Sequence, residues 1–462
     1  MKKTRQRTAI HFGFLKSICV SSMFLMAVWC GLAAASQQQD TTSNASSEAV
    51  QHRRPTSYSV TNLSTLGGAV SRGNSINDLI WVSGYSNLPD NQSRHAMLWR
   101  YGSARDLRTL GGPNSSVAWP VKNDGGLISG ISQTDIPEPR GENWSCSAFF
   151  PAATRTGYTC LGFVWDPLNG MRALPTLGGN NGYAAGANNW GQVAGWAENT
   201  TPDPTCEPPQ VLQFRPVVWG PGRNQIQELP LIAGDTSGAA TAINDNGQAV
   251  GISGTCDQAV GRDTAAHAVL WENGTVRDIY PEAPAPYWNT PTAINRQGDI
   301  VGFVGSPNDR DGNMLTAFLW TSRNGMRILG ALPGDVFSEA LGINRSGQVV
   351  GLSCDVDFNC RPFIWQDGVM TDLNALVAPS YSGVLVYATD INEFGMITGL
   401  AFDPGSGNLV AYQAIPRVGG ASPAEAGTDK PAARAVLPDS VKREIVLPMD
   451  SSRGILARLG LR

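Results

Sequence analysis

The chain has 462 residues, of which only 16% are charged, and it contains 52 Gly and 30 Pro. This composition favours many short strands joined by turns over helices, whose surfaces need more Lys and Glu. The net charge of −4 provides no basic field for polyanions, so we expect no nucleic-acid partner.

Residues 1–36 have the organisation of an export signal. A basic stretch, Lys2 to Arg7, precedes the uncharged apolar run Ile18 to Leu32 and the small residues Ala33 to Ala35. We therefore expect cleavage near residue 36, a secreted or periplasmic location, and no transmembrane span in the mature chain. An uncleaved single-span anchor is the alternative. Residues 37–56 are polar and predict a disordered linker.

Six cysteines remain after the predicted leader, an even number that favours disulfides in an exported chain. Sequence alone permits fifteen pairings. Because all six lie in the same kind of loop, pairing of near neighbours is favoured, with a metal cluster as the alternative. The predicted pairs are Cys146–Cys160, Cys206–Cys256 and Cys354–Cys360.

A nine-residue phrase occurs seven times, and Ile243 to Gly251 is a typical copy. Its Asn occupies positions 77, 123, 188, 244, 295, 344 and 392, and Gly follows seven residues later in every copy. Fixed spacing inside the phrase and variable spacing between phrases indicate one structural unit with loops of different length. A period near 50 with strand-like content is typical of a β-propeller or a related array.

The unit from Ala239 to Pro281 predicts four antiparallel strands, which make one propeller blade. The phrase supplies a type I turn between the first two strands, with Gly in the left-handed position of a bulge. Ile80 replaces this Gly in the first copy, so we expect a different turn there. The predicted structural turn residues are Asn123, Asn188, Asn244, Gly247, Asn295, Gly298, Asn344, Gly347, Asn392 and Gly395.

The ends of the repeat region predict how the array closes. Residues 58–68 resemble a fourth strand standing alone, and residues 386–415 supply three strands and then stop. We therefore predict an all-β, seven-bladed β-propeller of four-stranded antiparallel blades over residues 57–416. The N-terminal strand would pair with the C-terminal three strands, which removes the open edges. Residues 417–462 predict a flexible C-terminal tail.

A Trp closes the third strand of six units, and we interpret these rings as packing between blades. They are Trp99, Trp165, Trp219, Trp271, Trp320 and Trp365. Aromatic side chains bury large areas, and neighbouring blades need wide contacts near the rim.

The combination of these motifs with His-Ala-x-Leu-Trp and Thr-Leu-Gly-Gly resembles the HAF family of extracellular repeat proteins. The triplets that carry the resemblance are His95-Ala96-Met97 and His267-Ala268-Val269, with Thr316 replacing His before Ala317-Phe318. The resemblance covers about residues 57–416. It implies a secreted, propeller-like protein, and it supplies no catalytic residues.

We expect the functional surface on the long-loop face, which we define as the end of the propeller that carries the second-to-third and fourth-to-first connections. Binding residues usually lie on loops that a rigid scaffold positions. Candidate ligand-binding aromatics in these loops are Trp144, Tyr287 and Trp288. Asp309, Asp311 and Asn313 alternate as in calcium loops but lack the distal acid, so solvated carboxylates are the alternative. We expect no other cofactor.

No catalytic motif is visible, and His95 and His267 occupy equivalent repeat positions, which favours a structural role. The sequence therefore predicts a monomeric binding or interaction module for an unknown protein or glycan ligand, not an enzyme. A structural cell-envelope protein is one alternative. A propeller glycosidase or lyase that uses loop carboxylates is the other.

Overall fold

A computed structural model describes residues 57–142, 149–206, 208–256, 266–281, 289–305, 315–417 and 435–442. The predicted export signal and linker lie outside these residues. Across the described ranges, no helix is long and apolar enough to cross a membrane.

Within the described ranges, twenty-eight strands form seven antiparallel sheets of four, one for each predicted blade. Blade 1 contains β2 (Ser71–Ile76), β3 (Val82–Asn87), β4 (Arg94–Arg100) and β5 (Ser103–Asp106). Blade 2 contains β6 (Gly111–Ser116), β7 (Ile128–Pro137), β8 (Tyr158–Asp166) and β9 (Gly170–Ala173). Blade 3 contains β10 (Gly182–Ala187), β11 (Val193–Pro202), β12 (Leu212–Trp219) and β13 (Ile226–Glu228).

The remaining blades repeat this order. Blade 4 contains β14 (Ser237–Ile243), β15 (Ala249–Gly254), β16 (His267–Glu272) and β17 (Thr275–Asp278). Blade 5 contains β18 (Asn289–Ile294), β19 (Ile300–Gly305), β20 (Leu315–Thr321) and β21 (Gly325–Gly330). Blade 6 contains β22 (Phe337–Ile343), β23 (Val349–Cys354), β24 (Cys360–Gln366) and β25 (Val369–Asp372), and the short 3-10 helix Leu373–Leu376 follows it.

Blade 7 closes the ring with strands from both ends of the repeat region. It contains β26 (Val384–Ile391), β27 (Ile397–Asp403), β28 (Asn408–Arg417) and β1 (Ser57–Asn62). β1 pairs antiparallel with β28 from Ser57 opposite Arg417 to Asn62 opposite Tyr412. The predicted seven-bladed propeller and its closure are therefore confirmed.

Six of the seven innermost strands carry one unpaired residue three positions before the repeat Asn. In blade 4 this residue is Thr241, which lies between Ala240 and Ala242 in the ladder. Its hydroxyl donates to the carbonyl oxygen of Pro291 in blade 5 at 2.7 Å. The equivalent bonds elsewhere run from Thr292 to Ala340, from Thr389 to Gly73 and from Asn74 to Val117. In these four blades a β-bulge thus directs a polar side chain to the next blade.

The six repeat tryptophans pack between blades, as predicted, and each is at most 7% exposed. The indole N–H of Trp271 donates to the carbonyl oxygen of Pro230, at the end of the preceding blade, at 2.6 Å. An Arg on the outer strand of the preceding blade covers other rings, as Arg277 covers Trp320 at 5.3 Å. These contacts account for the regular spacing of Trp without a role in ligand stacking.

Part of the segment predicted to be a flexible tail is packed against the propeller. Leu437 and Val441 are each 2% exposed and join the cluster that contains Tyr85, Leu352 and Leu409. The backbone N–H of Leu437 donates to Asn359 Oδ1 at 3.0 Å. For residues 435–442 the prediction of a flexible tail is wrong, because two apolar side chains find a buried site on the long-loop face.

Candidate functional site

The repeat Asn side chains shape the turns and also connect neighbouring blades. In blade 4, Asn244 Oδ1 accepts the N–H groups of Asn246 at 3.0 Å and Gln248 at 3.1 Å. Gly247 has a φ of +75°, which matches the predicted turn. The Nδ2 group, whose role the sequence did not indicate, donates to the carbonyl oxygen of Asn295 in blade 5 at 3.0 Å.

This inter-blade bond recurs and forms a ring around the axis at the Asn-turn face, the end opposite the long loops. The six bonds run from Asn77 to Asn123, Asn188 to Asn244, Asn244 to Asn295, Asn295 to Asn344, Asn344 to Asn392 and Asn392 to Asn77. Asn123 instead donates to Leu127 within its own blade. All seven side chains are buried, so the repeated phrase is used for assembly of the ring.

The first repeat forms the same turn as the others, contrary to the prediction. The N–H of Ile80 donates to the carbonyl oxygen of Asn77 at 3.1 Å, and Ile80 has a φ of +64°. A β-branched residue is therefore held in the left-handed region that Gly occupies in the other copies. The ring contacts of Asn77 impose the common turn despite the local strain.

The residue after each repeat Asn forms a second ring at the same mouth. Its members are Asp78, Asp124, Asn189, Asp245, Arg296, Arg345 and Glu393. All four carboxylates accept a backbone N–H from the adjacent blade, and Asp124, for example, accepts from Asp78 at 2.9 Å. Burial raises the pKa of the Asp124 carboxyl. These acids stabilise the turns. The cavity that they surround has a volume of only about 90 Å³.

Lys122 and Asp390 join two blades that are not neighbours. The Lys122 ammonium group, in blade 2, contacts the Asp390 carboxylate in blade 7 and donates to the carbonyl oxygen of Ile391 at 2.5 Å. Asp390 is fully buried and also accepts the N–H of Ile76 in blade 1 at 2.9 Å. Burial raises the pKa of the Asp390 carboxyl, and Lys122 opposes this shift.

A signal for this pair exists in the repeat. The residue before the Asn is Ile in five copies and Ala in one, and Lys122 is the exception. The residue two before the Asn is small or apolar in the other copies, and Asp390 is the exception. The sequence therefore shows two charged residues at positions that are uncharged in the other repeats. It does not show that these two residues are in contact.

A second group of buried carboxylates lies between blades 2 and 3. Glu198 Oε2 accepts the N–H groups of Asn180 at 3.1 Å and Asn181 at 2.9 Å, and burial raises the Glu198 pKa to about 7. Glu142 Oε1 accepts the N–H of Val211 at 2.9 Å, and burial also raises its pKa. Both side chains are at most 1% exposed. Sealed carboxylates that bind backbone N–H groups cannot reach a substrate, so this pair is structural.

The two repeat histidines also have structural partners. His95 Nδ1 lies 2.9 Å from Asp106 Oδ2, and His267 Nδ1 lies 2.7 Å from Asp278 Oδ2, so each joins the third and fourth strands of its blade. Blade 6 has Arg361 at the same position, paired with Asp372 at 3.1 Å. The hydrogen bond that His267 donates to the Asp278 carboxylate raises the pKa of His267.

Disulfides lie on the long-loop face. Cys206 pairs with Cys256, which joins blades 3 and 4, and Cys354 pairs with Cys360, as predicted. Cys160 is disulfide-bonded as well, and its predicted partner Cys146 lies outside the described residues.

The ligand-binding and calcium-binding residues predicted from the sequence also lie outside the described residues. They are the aromatics Trp144, Tyr287 and Trp288 and the calcium candidates Asp309, Asp311 and Asn313. Within the described ranges, no group of three or more His, Cys, Asp or Glu side chains could hold a metal ion.

A larger cavity opens on the long-loop face where blades 7, 1 and 2 meet. Its volume is about 490 Å³, within the usual range for small-molecule sites. Val70, Tyr85 and Leu409 form its propeller wall, and Phe149 and Val441 contribute from a loop and from the packed tail segment. This cavity is the best candidate site in the described chain, because its size and apolar walls suit a ligand.

Comparison with known proteins leaves the family of this chain open. No protein-family model matches it, and no curated protein sequence matches it. TolB from Acinetobacter baumannii is similar in structure at 10% identity, covering 74% of this chain and 64% of that chain, with a TM-score of 0.38. A structure from a study of two prolyl endopeptidases shares 8% identity over 79% of this chain and 51% of that chain, with a TM-score of 0.42.

A puromycin hydrolase is similar at 11% identity, covering 74% of this chain and 53% of that chain, with a TM-score of 0.43. The chain thus spans between about half and two thirds of the length of these three structures. Peptidases occur among the matched structures, but likeness at this level transfers no activity or partner to this chain.

Proposed function

We propose that this protein is an extracytoplasmic binding module that takes a ligand into the cavity on the long-loop face. The observation that carries the proposal is the cavity of about 490 Å³, which rigid strands of blades 7 and 1 frame. The disulfides Cys206–Cys256 and Cys354–Cys360 support a location outside the cytoplasm, where such bonds persist.

The buried acids have structural partners, and this favours binding over catalysis. The carboxylates at the Asn-turn mouth accept backbone N–H groups, and Glu142 and Glu198 are sealed between blades. None of the described residues that line the cavity is Asp or Glu, which does not favour a carboxylate-based hydrolysis there. A protein or glycan ligand, a secreted monomer and the HAF relationship stay predictions of the sequence.

The neutral fluorophore N-phenyl-1-naphthylamine tests the cavity. We expect its emission to rise on binding to the full-length protein, and Ala153→Trp, on the cavity wall, to weaken binding at least about tenfold by filling the space. Ala104→Trp is the matched control, because Ala104 is exposed on β5, the outer strand of blade 1. Equal binding by both variants and the wild type would refute the assigned site.

A further inference from the structure

We infer that the ligand of the long-loop cavity is an amphipathic organic anion, a carboxylate or sulfonate attached to an aromatic or branched apolar group. This inference rests on the proposed function, since it names the ligand class of the same cavity. It follows from the charge, the donor geometry and the walls of the cavity.

The cavity is electropositive. Among the described residues that line it, the charged ones are Arg94 and Arg155, and none is Asp or Glu. The chain as a whole carries a net charge of −4, so this local excess of positive charge does not reflect the composition. A guanidinium group favours carboxylate and sulfonate groups through paired, charge-assisted hydrogen bonds.

Arg94 is held in place by neutral partners. Its Nε group donates to Asn87 Oδ1 at 3.1 Å, and its Nη1 group donates to the carbonyl oxygen of Phe149 at 2.9 Å. The guanidinium carbon lies 4.1 Å from the centre of the Tyr85 ring. Arg94 makes no ion pair with a carboxylate of the described residues. Its charge is therefore positioned but not neutralised, which suits it to an anion.

Arg155, unlike Arg94, is not held in place by hydrogen bonds to the described residues. It is half-buried on the loop that follows Phe149 and Phe150, and no hydrogen bond or ion pair joins it to another part of the described chain. An unpaired Arg beside a fixed one gives two positive charges around the same space. Together they can neutralise one anionic group as it leaves water.

Much of the remaining wall is apolar. Val70 and Leu409 are at most 9% exposed, and the Phe149 ring stacks on Tyr183 with 5.1 Å between ring centres. Val441 of the packed tail segment closes one side. A ligand that is anionic at one end and apolar at the other matches both parts of the lining.

Two fluorophores with the same aromatic framework test the charge requirement. 1-Anilinonaphthalene-8-sulfonate carries a sulfonate group, and N-phenyl-1-naphthylamine lacks it. We expect the full-length protein to bind the sulfonate probe at least about tenfold more tightly, as one charge-assisted hydrogen bond would provide. Arg155→Met should remove most of this preference by weakening the binding of the sulfonate probe. Arg155 suits this test because its side chain supports no described contact.

The outcomes separate the two proposals. Equal affinity for both probes, or a preference that survives both Arg155→Met and Arg94→Lys, would overturn the anionic ligand class and leave the cavity as a binding site. If neither probe binds, the proposed function fails as well. If Ala153→Trp leaves sulfonate binding unchanged, the probe binds elsewhere and the inference is refuted.

Discussion

Lys122 in blade 2 and Asp390 in blade 7 form an ion pair, although blade 1 lies between these two blades. The two residues are 268 positions apart, in blades 2 and 7, and their contact lies at the Asn-turn face beside Ile76 of blade 1. Asp390 has no exposed surface, so Lys122 provides the charge that permits it to be buried ionised. The pair therefore connects three blades at the point where the first and last repeats meet.

Replacing Lys122 by Ile, the residue of most other repeats, should destabilise the protein by about 3 kcal/mol, because it leaves Asp390 buried without a counter-charge. Urea unfolding at pH 7 measures the loss. The double variant Lys122→Ile/Asp390→Ala, which restores the pattern of blades 4 and 5, should recover most of it. No recovery in the double variant would contradict the assigned role of the pair.

The same variant should respond to pH with a defined sign. The pKa of Asp390 is raised in the folded state, so its contribution to stability is largest below its unfolded pKa and is lost as pH rises through the folded value. Without Lys122 the pKa rises further. We expect the stability gap between wild type and Lys122→Ile to narrow as the pH falls from 7 to 5, and a gap that stays constant would be inconsistent with a charged Asp390.

Ile80→Gly should stabilise the protein by about 1 kcal/mol, because it relieves a β-branched residue from a positive φ. The thermal unfolding midpoint provides the measurement. Leu79→Gly is the control in the same turn, since Leu79 does not have a positive φ, and it should be destabilising. A lower midpoint for Ile80→Gly would show that the turn is not strained.

Glu198 should make the protein less stable as the pH rises. Its folded pKa of about 7 exceeds the unfolded value of 4.5, so its contribution is fully present below pH 4.5 and is lost as pH rises through 7. The shift corresponds to about 3 kcal/mol. The Gln of Glu198→Gln cannot ionise, so the stability of this variant relative to wild type should be greater at pH 8 than at pH 4.5. Denaturant midpoints at the two pH values measure this difference. Parallel pH profiles for the two proteins would argue against a buried, titrating Glu198.

His267 should add a smaller dependence at higher pH. Its raised folded pKa means that the stability from its pair with Asp278 is complete below pH 6.5 and is lost as pH rises through the folded pKa. His267→Arg copies the arrangement of Arg361 and Asp372 in blade 6 and should remove this loss. Unfolding midpoints between pH 5.5 and 8.5 test the difference, with Asp278→Asn expected to abolish the effect in the wild-type background.

The blades were predictable because each is built from contacts close in sequence. Asn244 and Gly247 specify a turn by their own side-chain chemistry and φ preference, and Trp271 occupies the position where a wide ring fills the gap between blades. Closure was predictable too, since the strand at residues 57–62 had no partners of its own near the N-terminus. The turn at Ile80 was not, because contacts of Asn77 with other blades override the local preference.

The repeats were enough to predict the architecture: seven four-stranded blades, the closure of the ring and two of the disulfides. The contact of Lys122 with Asp390, the packing of Leu437 and Val441 on the long-loop face, and the cavity that Arg94 and Arg155 share became visible only in the folded chain. A repeat encodes its fold through short-range periodicity, and each copy carries that information again. A site is formed by residues from different blades, and their proximity depends on how the ring places the irregular loops, which no local pattern records.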